Sequence, residues 1–85
     1  MIVIAKGSIP RPDALAPHLD EEMRVLRELK ADGVIKSAYR RAAGPGFYFL
    51  LEGPGIDAVR ERIDTTLPFV IENLATLEYD EIYEI

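Results

Sequence analysis

The chain carries one histidine and no cysteine, so its chemistry must run through carboxylates, tyrosines, arginines and His18. An unperturbed imidazole titrates near neutrality, which suits a general acid or base. Glu22 follows His18 by four residues, the spacing that brings two side chains to one face of a helix, where the carboxylate can orient the ring. The alternative for a lone histidine at a helix start is a plain surface position. Tyr39, Arg40 and Arg41 end a strand that enters the glycine-rich loop Gly44-Pro45-Gly46. A guanidinium there either holds a substrate carboxylate through two parallel hydrogen bonds or balances the acidic C-terminal segment. The catalytic candidates are thus His18, Glu22, Tyr39 and Arg41, and the candidate substrate contacts are Ser37, Phe47, Phe49 and Tyr79. A single histidine without cysteines cannot build a histidine- or thiolate-based metal site within one subunit. No phosphate loop, dinucleotide fingerprint or nucleophile elbow is present, so neither metal nor cofactor is expected.

The elements that must position these groups follow from periodicity. Met1 to Ala5 is a β-branched apolar run that Gly7 is expected to end. Pro10, Pro12 and Pro17 punctuate the connection after it, and a helix is expected from near Asp13 or near Pro17. Leu15, Leu19, Met23, Leu26 and Leu29 form its apolar stripe, and Gly33 suits the left-handed position that closes it. Val34 to Arg41 reads as a strand with Ile35, Ser37, Tyr39 and Arg41 on one face. Ala42 to Gly46 is the hairpin loop into Gly46 to Glu52, a strand apolar in both phases: Phe47, Phe49 and Leu51 on one side, Tyr48 and Leu50 on the other. Gly53-Pro54 is expected to open a second helix carrying Ile56, Val59 and Ile63, ending at Thr65 to Pro68. A last strand is expected through about Asp80, with residues 80–85 as an arm that reaches a partner subunit.

This order, βαββαβ, predicts a single ferredoxin-like α+β domain over residues 1–85: a four-stranded antiparallel sheet with both helices on one face. The other face is open yet apolar, and a chain this short has little core to spare. A second copy packing sheet to sheet is the simplest cover, so a homodimer or higher homo-oligomer is expected. The formal net charge of −5 argues against nucleic acid or an anionic membrane as partner. Gly46-Phe47-Tyr48-Phe49-Leu50 resembles the aromatic signature of RNA-recognition modules. However, Pro45, Tyr48 and Glu52 depart from that signature, and the first strand has no aromatic to complete a stacking platform. No signal peptide or membrane span is read, and a cytoplasmic location is expected.

Several landmarks together resemble a family. The run Glu28 to Ile35 leads into Ala38-Tyr39, Gly44 to Gly46 leads into an aromatic strand, and Leu67-Pro68-Phe69 precedes an acidic last strand. This pattern looks like the muconolactone isomerase-like proteins of the dimeric α+β barrel superfamily, with YCII-like proteins as more distant relatives. The resemblance implies two sheets meeting in a barrel. It also implies cofactor-free proton-transfer chemistry on a small oxygenated ligand, such as isomerisation of a lactone or cyclisation of a polyketone. In that reading Phe47 and Phe49 wall a pocket, Tyr39 and Arg41 anchor an oxygen, and His18 or Glu22 moves a proton. The alternatives are a non-catalytic ligand-binding or assembly module and, third, a cofactor-free oxygenase.

Overall fold

The computed structural model describes all 85 residues. Strand β1 (Ile2–Ser8) leads through two 3-10 turns, Pro12–Ala14 and Ala16–His18, into helix α1 (Leu19–Ala31). Strands β2 (Ile35–Arg40) and β3 (Gly46–Glu52), helix α2 (Ile56–Asp64), the one-turn helix α3 (Pro68–Ile71) and strand β4 (Thr76–Ile82) complete the chain. The strands form one sheet in the order β2-β3-β1-β4, every neighbouring pair antiparallel. An antiparallel four-stranded α+β sheet in this order is compatible with the expected ferredoxin-like arrangement.

Register decides which side chains meet the helices. Val3, Ala5 and Gly7 of β1 stand beside Leu51, Phe49 and Phe47 of β3, and beside Glu81, Tyr79 and Leu77 of β4. On this face Val25 and Leu29 of α1, together with Val59 and Ile63 of α2, join Val3, Ala5, Phe49 and Leu51 in one buried core. Ile2, Ile4, Lys6, Tyr48 and Leu50 occupy the opposite face, which the helices leave uncovered. A smaller core of Phe69, Leu74 and Ala75, with Ile9, Leu15 and Phe47 against it, holds the β1–α1 connection onto α3.

Local chemistry explains most boundaries. Gly33 closes α1 with φ of 78°. The Val34 and Gly33 amides donate to the Leu29 and Lys30 carbonyls, the paired bonds of a Schellman cap. Pro12 and Pro17 each sit at the start of a 3-10 turn, where the missing N–H costs nothing, so the α-helix proper begins only at Leu19. Pro54 lies before α2 rather than inside it, because the cap is Gly55.

Three strand expectations need correction. Gly7 does not end β1, which continues to Ser8; a Cβ on Gly7 would stand 2.2–2.6 Å from the Phe47 ring, so the glycine is what lets that ring lie flat across the strand. β2 has an irregularity at Lys36: Ile35 pairs with Leu51, but Ser37 pairs with Leu50. The extra residue reverses the phase, so Ile35 shares the helix face with Ala38 and Arg40, while Ser37 and Tyr39 go to the open face. β4 runs past Asp80 to Ile82, pairing with β1 as far as Ile2↔Ile82, and only Tyr83 to Ile85 lie beyond the sheet.

Leu51 is wholly buried between α1, α2 and β1. Leu51→Ala should therefore lower unfolding free energy by about 3 kcal/mol, the usual cost of a cavity left by a core leucine. Urea denaturation followed by circular dichroism measures it.

Candidate functional site

Helix α1 was expected to turn Leu19, Met23, Leu26 and Leu29 inward. Leu29 is buried as expected and Leu26 packs against the core, but the other fully buried residues are Glu22 and Val25, while Leu19 and Met23 are about half exposed. The helix is rotated so that a carboxylate enters the interior and two apolar side chains are left at the edge of the core. That edge is a cleft of about 450 Å³ between α1, the helix-facing ends of β2 and β3, the β1–α1 connection and α3. Leu19, Met23 and Leu26 line one side, and Ala38, Phe47 and Phe49 the other. The two phenylalanine rings stand 4.7 Å apart between centroids, tilted by 36°.

Glu22 is the chemical centre of this cleft. It is the one charged side chain of the protein that is fully buried, at 3 % exposure. Its Oε1 accepts a hydrogen bond of 2.9 Å from the Phe69 backbone amide. Phe69 is the second residue of α3, after Pro68, so this amide has no partner within its own helix and the carboxylate takes the place of a cap. Removal from water raises the carboxyl pKa above its ordinary value, and the Phe69 hydrogen bond opposes part of that rise. The result is a carboxyl that holds its proton more tightly than an exposed one, with a second oxygen not engaged by the protein.

The sequence-predicted residues divide. Glu22, Tyr39, Phe47 and Phe49 line the cleft together. Arg40 lines it and Arg41 does not: the bulge at Lys36 turns Arg40 to the helix side, and the Arg41 stem lies against Gly46 on the side that Tyr48 shares. His18 precedes α1 without a capping hydrogen bond, and the partner of Glu22 is Phe69, not His18. Ser37 faces the open side of the sheet opposite Leu50. Tyr79 sits elsewhere: its hydroxyl donates to Asp64 at 2.7 Å and Arg60 stacks 5.2 Å from its ring, fastening α2 to β4. Burial and the Asp64 carboxylate hold this phenol well above its ordinary pKa, so it is a structural tie. Tyr39 reaches the cleft only along its rim, being 61 % exposed.

Sequence reasoning did not place Arg40, Phe69 and Met23 in the cleft. The signal for Phe69 was present in Leu67-Pro68-Phe69, where proline opens a helix. No group of three or more His, Cys, Asp or Glu is placed to hold a metal ion.

Because the folded carboxyl titrates above 4.5, the unfolded chain loses its proton first as pH rises. Between 4.5 and the raised value the native state binds more protons, so stability falls as pH increases across that window. Glu22→Gln, which retains an oxygen for the Phe69 amide, should remove this decline, a difference that melting temperatures from about pH 4 to about pH 8 will show. No family model matches the chain and no curated protein matches it, so the role of the cleft is argued from its own geometry.

Proposed function

We propose that this protein is a cofactor-free isomerase or cyclase, in keeping with its resemblance to the muconolactone isomerase-like proteins, and that Glu22 is its proton-transfer group. The observation that carries this reading is a buried carboxylate, raised in pKa and held by one backbone amide, in the wall of a mostly apolar cleft. Such a carboxylate removes a proton from carbon next to a carbonyl and returns it at another position, which is the whole chemistry of moving a double bond in an unsaturated lactone. The walls are mostly apolar, and the cleft volume suits a small ring compound. The helices supply the catalytic wall on one side of the sheet.

The other side is assigned to a twin. Ile4, Tyr39, Tyr48 and Leu50 form a wholly apolar depression on the open face, and Tyr39, Tyr48 and Ile82 are exposed there. A second copy packed sheet to sheet covers them at the expense of little polar surface, whereas the β4 side of the face, with Glu78 and Asp80, stays at the wet margin. No helix of the chain is long and apolar enough to cross a membrane.

Deuterium wash-in and double-bond migration in an unsubstituted β,γ-unsaturated butenolide, followed by proton NMR, test the catalytic reading. The rate should rise with pH through a value above 4.5 as Glu22 ionises, and Glu22→Gln should lower it by about 10²- to 10⁴-fold. An unchanged rate in a folded Glu22→Gln protein would leave the cleft as a non-catalytic binding site. For the assembly, sedimentation equilibrium should find a dimer, and Leu50→Asp should convert it to a folded monomer; a native monomer at micromolar concentration would overturn the pairing.

A further inference from the structure

Gly7 lies inside a strand, where glycine packs no side chain and orders the freest backbone of any residue. The backbone there does not require it. Gly33 and Gly44 are the glycines with positive φ, whereas Gly7 keeps regular register with Phe47 on one side and Leu77 on the other. What glycine supplies at this position is space. A Cβ would overlap Cζ, Cε1 and Cε2 of Phe47, the outer half of the ring.

A strand side chain ordinarily stands off the sheet, but the Phe47 ring is laid across β1 onto its cross-strand neighbour. Gly7 is thereby buried and does not itself line the cleft, while Phe47 does. A ring displaced from Gly7 has one direction open to it. The Phe49 ring lies 4.7 Å away between centroids, and the smaller core of Phe69, Leu74 and Ala75 packs against Phe47. The space that remains is the cleft, where Leu26 and Met23 of α1 stand across from the two phenylalanines.

We infer that Gly7 sets the depth of the cleft by acting through the Phe47 ring, and so selects ligands by the size of their ring system. With glycine at this position the ring is a floor, and a flat body of two fused rings fits between it and α1. A side chain on residue 7 lifts the ring toward α1 and leaves room for a single ring, because a close-packed wall does not absorb the added volume elsewhere. Gly7 touches no ligand; it is a positioning residue for size. This inference rests on the proposed function for the location of the site and adds the residue that fixes its dimensions.

Titration of the full-length ¹⁵N-labelled protein with phenol and with 2-naphthol, followed by the amide shifts of Glu22, Phe47 and Phe49, tests it. The native protein should bind 2-naphthol more tightly than phenol. Gly7→Ala should weaken 2-naphthol by about 10- to 100-fold, the range in which an apolar pocket rejects a body slightly too large, and phenol much less. Adding Phe47→Leu to Gly7→Ala should restore binding of 2-naphthol, a rescue that general loss of packing would not give. The native spectrum supplies a check that needs no variant: the Gly7 α-protons should lie upfield under the Phe47 ring, and Phe47→Leu should return them to ordinary positions. A folded Gly7→Ala protein that keeps the native preference, a folded double variant that does not regain 2-naphthol, or Gly7 α-protons without the upfield shift overturns the assignment. Should Gly7→Ala fail to fold, Phe47→Leu and the double variant should bind 2-naphthol equally, and weaker binding by the double variant overturns it. Each of these results leaves proton transfer by Glu22, read from deuterium wash-in, standing. A native protein whose amides shift with neither probe overturns the depth assignment and the cleft as a binding site together.

Discussion

One hydrogen bond, from the Phe69 amide to the Glu22 carboxylate, joins the two parts of the molecule that enclose the cleft. A buried carboxyl without a partner is costly, as is an unpaired amide at the start of a helix. Each of these groups answers the other, so α1 and α3 are held together. With Glu22 and Val25 turned inward, Leu19 and Met23 stand at the cleft instead of in the core. The interior of a small domain tolerates this carboxyl because Val25 and Leu29, one and two turns later on the same face of α1, remain packed in the core.

Two backbone details shape the opposite wall. Gly7 has no side chain, so the Phe47 ring lies over β1 and contributes to both the cleft and the smaller core. The irregularity at Lys36 reverses the facing of β2, placing Ala38 and Arg40 toward the helices and Tyr39 and Ser37 toward the open side. Without that extra residue the regular alternation from Ile35 would have carried Arg41 to the helix face and Arg40 away from it. The lone cation in the cleft owes its position to a single inserted residue. The tyrosine tie at Asp64 and the ion pair of Arg62 with Asp32 act farther away, keeping α2 in place against β4 and the end of α1.

The two sheet faces divide the functional readings between them. The helix face holds a cleft with a carboxyl and a guanidinium on opposite walls, and the open face holds aliphatic and tyrosine side chains along β2 and β3, with Lys6, Glu78 and Asp80 toward β4. β3 takes part in both, through Phe47 and Phe49 on one side and Tyr48 and Leu50 on the other.

Much of this was legible from local pattern. The two-phase apolar run at Gly46 to Glu52, the stripe that marked α1, the left-handed glycine at Gly33 and the proline in Leu67-Pro68-Phe69 each follow from short-range sterics or periodicity, which the sequence carries residue by residue. The element order and the antiparallel α+β sheet follow from them. Glu22 and Tyr39 could be named as candidates from residue type, but the reason given for Glu22, a pairing with His18, is replaced by a backbone amide 47 residues away. Which arginine enters the cleft, which face Ser37 takes and what Tyr79 does depended on a bulge, a register and a hydrogen bond to Asp64. Those are contacts between segments distant in the chain, and periodicity within one segment holds no information about them. The sequence alone thus determined the secondary elements and the presence of a strand that must be dry on both sides. Tertiary packing alone decided the rotation of α1 about its axis and the phase of β2, because each is set by where a distant partner satisfies a buried polar group or fills a neighbouring space.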